Sequence, residues 1–172
     1  MKIILLGYMG SGKTTVGKKL ARQMGLQFLD LDDYIEEKEK LSVADIFGDK
    51  GELYFRKKEH QYLNELLLRK DNFVLSVGGG TPCYGKNMET ILKGSENVFY
   101  LKVPIGQLAQ RLSQQKSTRP LIRHIPDGEL PEFIGKHLFE RSEFYNQAHT
   151  VIDCGSNEAI DIVADIMNSM QQ

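Results

Sequence analysis

The stretch Ile3-Ile4-Leu5-Leu6-Gly7-Tyr8-Met9-Gly10-Ser11-Gly12-Lys13-Thr14 decides how the rest of the chain is read. Four consecutive apolar residues ended by a glycine predict a strand covered on both faces. Val16, Leu20, Ala21 and Met24 then recur at helical spacing, and Gly25 supplies the left-handed residue that closes a helix. Between the two elements, Gly7 to Thr14 satisfies G-x-x-x-x-G-K-[ST]. That pattern answers a physical demand: several backbone N–H groups must converge on one anion. Glycines let the loop wrap closely, and a helix beginning at Lys13 presents its positive dipole end. Lys13 is placed to reach the β- and γ-phosphates of a nucleotide, and the Thr14 hydroxyl to ligate Mg²⁺. A turn that merely closes a strand–helix unit is the competing explanation.

Downstream, short apolar runs alternate with helical periods. Strands are expected at Gln27 to Leu31, Phe73 to Val77, Val98 to Val103 and Thr150 to Asp153. The intervening helices are a short one from a Ser42/Asp45 capping box through Phe47, a longer one over Leu53 to Leu68, and others near Asn87 to Lys93, through Leu108 and Leu112, and from Leu130 to Tyr145. A last helix is expected from Glu158 to Met170. Five strands separated by helices predict a mostly parallel sheet with helices on both faces, because parallel neighbours need a crossover. In such sheets ligands sit beyond the carboxyl ends of the strands.

A length of 172 residues fits one domain, and 41% hydrophobic with 26% charged residues is an ordinary globular composition. With 22 basic against 23 acidic side chains the net charge is −1, so no general basic field for nucleic acid exists. Two cysteines, Cys83 and Cys154, have no CxxC spacing and no clustered histidines, which argues against zinc and disulfide frameworks and fits reduced thiols in the cytoplasm. No apolar run approaches a membrane span, and no exposed apolar stripe calls for a partner, so a cytoplasmic monomer is expected.

Four further groups carry chemistry. In Gln27-Phe28-Leu29-Asp30-Leu31-Asp32, strand alternation would point Asp30 and Asp32 the same way, about 6.5 Å apart. Beside a nucleotide, one could support the Mg²⁺ shell and the other accept a proton from an alcohol; alternatively they cap the next helix and face water. Asp33 is expected as the N-cap. Gly78-Gly79-Gly80 lets a small ligand lie against bare backbone, or forms a plain sharp turn. Arg56, Arg119 and Arg141 can each pair with a carboxylate or phosphate through two parallel bonds, though taken singly each reads first as a solvated surface residue. Lys116, Arg119, Arg123 and His124 crowd a polar stretch from Gln114 to Asp127 suited to a mobile lid.

Six blocks in order give the chain a close resemblance to the shikimate kinase family, within the nucleoside-monophosphate-kinase-like branch of P-loop folds. They are Gly10-Ser11-Gly12-Lys13-Thr14-Thr15, Leu29-Asp30-Leu31-Asp32, Phe55-Arg56, Leu75-Ser76-Val77-Gly78-Gly79-Gly80, Thr118-Arg119-Pro120-Leu121, and Glu140-Arg141 with Tyr145. The resemblance implies a three-layer α/β P-loop fold with a five-stranded parallel sheet of order 2-3-1-4-5. It also implies a substrate-binding lobe over residues 33–58 and a lid over 114–127 within a single domain. The implied reaction is ATP-dependent phosphorylation of the 3-hydroxyl of shikimate. By resemblance, Gly10, Ser11, Gly12, Lys13, Thr14, Thr15 and Arg119 hold ATP, and Thr14 and Asp30 serve Mg²⁺. Asp32, Arg56, Gly78, Gly79, Gly80 and Arg141 hold shikimate; Asp32, Lys13 and Arg119 act in catalysis. Arg111 matches a position that stacks on adenine, while Gly155-Ser156-Asn157 stands where the family often places an adenine-contacting residue. A related small-metabolite kinase, such as gluconate kinase, and a nucleotide-binding module without catalysis are the rival readings.

Overall fold

The structure is a computed structural model describing residues 1–155 and 157–171. β1 (Lys2–Leu6) is buried at Ile3, Ile4, Leu5 and Leu6, each with no accessible surface. β3 (Phe73–Ser76) and β4 (Asn97–Lys102) flank it, and β2 (Gln27–Asp30) and β5 (Thr150–Asp153) close the edges, giving the parallel order β2-β3-β1-β4-β5. β1 from Ile3 to Leu6 and β3 from Phe73 to Leu75 are apolar throughout because helices cover both faces. Each fully buried Leu or Ile there contributes about 1.5–3 kcal/mol.

The helices are α1 (Lys13–Met24), α2 (Leu31–Glu39), α3 (Val43–Leu68), α4 (Asn87–Gly94), α5 (Ile105–Ser113), α6 (Leu130–Tyr145) and α7 (Ala159–Ser169). α1 packs on α7, α2 on α3 and α5 on α6. Gly25 ends α1 in the left-handed conformation, as its sequence position predicts. The two helices expected over Ser42–Phe47 and Leu53–Leu68 form one run, broken only at Gly51 (φ 83°, ψ 170°). Ser42 is its N-cap, with its hydroxyl accepting from the Asp45 amide.

One local expectation is overturned. The second strand ends at Asp30, and Asp32 lies in the first turn of α2 rather than on the strand. Asp30, not Asp33, is the N-cap: its Oδ1 accepts the Asp32 amide at 3.0 Å. Capping wins over alternation because an Asp at the strand end satisfies an otherwise orphaned helical N–H.

The polar stretch after α5 is a series of single 3₁₀ turns at Lys116–Thr118, Pro120–Ile122 and Asp127–Glu129. It is less apolar than its neighbours, yet Ile122 is completely buried and pins it to the core. The Lys116 ammonium bonds the Ile125 carbonyl and pairs with Asp127, drawing the two ends of the stretch together.

Candidate active site

Strand register brings the two glycine loops side by side. Leu5 pairs with Ser76, so the loop after β1 and the triglycine after β3 leave the sheet as neighbours. A Cβ on Gly79 would stand 3.2 Å from the Met9 amide nitrogen. Together they floor a cleft of about 590 Å³ lined by Gly10 to Thr15, Asp30, Asp32, Gly78, Gly79 and Arg119, among others.

Gly12 caps α1 in the left-handed region (φ 89°), a conformation that a side chain would strain. No side chain caps this helix and no acid occupies its first turn, so its leading N–H groups are free for an anion. Lys13 is buried beneath the loop, its ammonium donating to the carbonyls of Gly7 (2.7 Å) and Tyr8 (3.1 Å). Burial lowers its pKa to about 8, against the opposing pull of Asp32 and Asp30.

The Thr14 hydroxyl donates to Asp30 Oδ2 at 3.3 Å. Asp30 thus makes two contacts at once: one oxygen caps α2 and the other accepts from the phosphate-loop hydroxyl. Asp32 is partly buried, and burial, with the Asp30 and Glu59 carboxylates nearby, raises its pKa to about 7 despite Lys13. A carboxylate poised there holds its proton weakly enough to exchange it near neutrality.

Arg56 and Arg141 come from different helices and converge on Gly80. A Cβ on that residue would stand 2.9 Å from Arg56 Nη2 and 3.4 Å from Arg141 Nη2, so a side chain there would push the Arg56 guanidinium from its present place. Arg56 is held by Glu59 at 2.8 Å and lies on the Tyr84 ring, 3.7 Å from its centroid. Arg119 lines the cleft from the 3₁₀ segment, its Nε donating to Gln115 at 3.1 Å.

The sequence profile of shikimate kinase matches residues 9–171. A shikimate kinase of Flavobacterium psychrophilum is 43% identical over 165 residues, covering 96% of each chain. The chain belongs to the shikimate kinase family. Among solved structures, the shikimate kinase from Bacteroides thetaiotaomicron superimposes with a TM-score of 0.90 at 35% identity, covering 100% of this chain and 99% of that one. Shikimate kinase from Acinetobacter baumannii, solved in complex with shikimate, gives a TM-score of 0.89 at 35% identity over 99% and 92%.

Membership of the shikimate kinase family does not by itself explain every group around the cleft. Sequence reasoning overlooked Glu59, which is 1% exposed and accepts from both Arg56 and the Thr81 hydroxyl (2.7 Å). The only signal was its spacing of three from Arg56 on a helix, which reads equally well as a surface pair. Arg111 lines the cleft as well, its Nη1 donating to the Gly10 carbonyl at 3.1 Å. Asn157 lines the same cleft with Ala159 and Ile162; Ser156 lies outside the described residues.

Proposed function

We propose that this cleft transfers the γ-phosphoryl group of ATP to the 3-hydroxyl of shikimate, giving ADP and shikimate 3-phosphate. The observation that carries the reading is the meeting of Arg56 and Arg141 at Gly80, in the glycine loop that leaves the sheet beside the phosphate-binding turn. Two guanidiniums over bare backbone suit one carboxylate on a compact ring. They orient that ring so that its hydroxyl faces Asp32 and the end of the triphosphate.

Asp32 accepts the 3-hydroxyl proton as the new oxygen–phosphorus bond forms and the bond to the β-phosphate oxygen breaks. The amides of Gly10 to Thr15 and the Lys13 ammonium hold the phosphates in line. Arg119 meets the charge on the transferring phosphoryl group, and residues 114–127 act as the lid that carries it. Residues 33–58 form the substrate-binding lobe. Gly78 and Gly79 complete the wall against which the ring hydroxyls lie.

The Thr14 hydroxyl and Asp30 carboxylate form an all-oxygen donor set that fits a hard divalent cation such as Mg²⁺. Thr14 would ligate it directly and Asp30 through water, and the cation would neutralise charge between the phosphates. We further propose that the protein works as a cytoplasmic monomer, without nucleic-acid or membrane partners. Its cysteines are both free, and no helix among the described residues is long and apolar enough to cross a membrane.

Incubation with ATP, Mg²⁺ and, separately, shikimate, gluconate and nucleoside monophosphates tests the proposal. ADP release is expected with shikimate; turnover of gluconate alone would overturn the substrate assignment. A binding module without catalysis would release no ADP with any of them, and it would have no use for Asp32 and Arg119 facing one cleft.

A further inference from the structure

One buried group near the cleft has no part in the chemistry above. Tyr8 occupies an unrestricted position of the phosphate-loop pattern, yet it is only 1% exposed and its hydroxyl meets His137 Nδ1 at 2.8 Å. The two rings are edge-on, 5.4 Å between centroids, and Phe133 backs His137 from the preceding turn. Burial pushes the Tyr8 hydroxyl up to about 12 and, with Arg141 nearby, holds His137 below the usual imidazole range. With the imidazole neutral and its proton on Nε2, the phenol donates and Nδ1 accepts.

His137, Arg141 and Tyr145 recur every four residues and share one stripe of α6. His137 binds the phosphate loop through Tyr8. Tyr145 donates to the Gly79 carbonyl in the triglycine. Arg141 sits between these two attachments, its guanidinium 5.7 Å from the Tyr8 ring centroid and against Gly79 and Gly80. Tyr8 thus faces both substrates' binding groups: its carbonyl accepts from Lys13, and its side chain fixes the helix that bears Arg141.

We propose that Tyr8 and His137 are a positioning pair that sets Arg141 in register with the phosphate loop, so that a residue of the nucleotide loop governs affinity for the acceptor's carboxylate. The proposal rests on the shikimate reading above. A hydroxyl serving only loop stability would affect ATP first or both substrates alike. A hydroxyl serving Arg141 affects the carboxylate-bearing substrate.

The test is steady-state kinetics, with thermal melting, on the full chain and on Tyr8→Phe, His137→Leu, the double variant and His137→Gln. Tyr8→Phe keeps the ring and loses only the donor. It and His137→Leu are expected to raise KM for shikimate about 5- to 30-fold with KM for ATP within about twofold. The double variant should be no worse than His137→Leu alone, because the two residues act through one contact. His137→Gln, whose amide oxygen can accept the phenol proton, should recover most of the loss. An unchanged KM for shikimate in Tyr8→Phe, or a loss that falls on ATP, overturns the proposal while leaving the functional reading standing. Failure of the unaltered chain to phosphorylate shikimate removes both.

Discussion

Arg56 and Glu59 stand one turn apart on α3 with their charged atoms 2.8 Å apart, and Glu59 is almost wholly buried. The arginine is therefore aimed before any ligand arrives, and the carboxylate is tolerated only because Arg56 and Thr81 both serve it. Breaking such a pair leaves an uncompensated charge, which typically costs about 3–5 kcal/mol.

Glu59→Gln keeps the shape and the Thr81 contact but removes the charge. It is expected to raise KM for shikimate about tenfold while KM for ATP stays within twofold. It should also move the acid limb of the pH–rate profile downward, since Glu59 is one of the carboxylates that raise the Asp32 pKa. A profile that stays in place would separate Glu59 from Asp32.

With Asp32 as the proposed base, activity in the unaltered chain needs its carboxylate ionised. Its pKa of about 7 means that kcat/KM should climb with pH through neutrality and level off about a unit above it. Rate measurements from pH 5.5 to 9 read this directly, and a flat profile across that range would exclude Asp32 as the base.

Asp32→Asn should lower kcat by about 10²- to 10⁴-fold, the usual contribution of a general base. The same change should stabilise the fold. The unfolded chain releases this proton near pH 3.8, the folded chain only near 7, so the native state is penalised increasingly between those values and fully above them. Thermal melting at pH 8 should show the variant more stable by on the order of 2 kcal/mol, with no difference below pH 3.5.

Lys13 titrates in the opposite sense. With its pKa lowered to about 8, the free protein loses the ammonium as pH rises through that value, and phosphate binding must restore the proton. ATP affinity should therefore weaken above pH 8. Calorimetry at pH 8 in buffers of different ionisation enthalpy should report proton uptake on binding; equal heats in both buffers would contradict the assignment.

The architecture was legible because its signals are local. Ile3 to Leu6 form an uninterrupted apolar run, and the strand–glycine–helix grammar repeats around it. The acids were half legible. Leu29-Asp30-Leu31-Asp32 has the alternation of a strand, while Asp30 with two acids after it also has the marks of a helix start; a single hydrogen bond to the Asp32 amide decides between them. Arg56 and Arg141 could not be lifted from the surface by pattern alone, since their convergence depends on where the β3 loop passes between two helices. Glu59 was hidden for a related reason: spacing announces an ion pair, but only packing says whether water reaches it.

Asp30 binds its own helix with one oxygen and the phosphate-loop threonine with the other. Whatever tugs on the second oxygen is transmitted through a rigid planar group to the backbone of Asp32. On the proposed mechanism, cation coordination and acceptor activation are thus geared together through one carboxylate, and a substitution at position 30 is expected to disturb both.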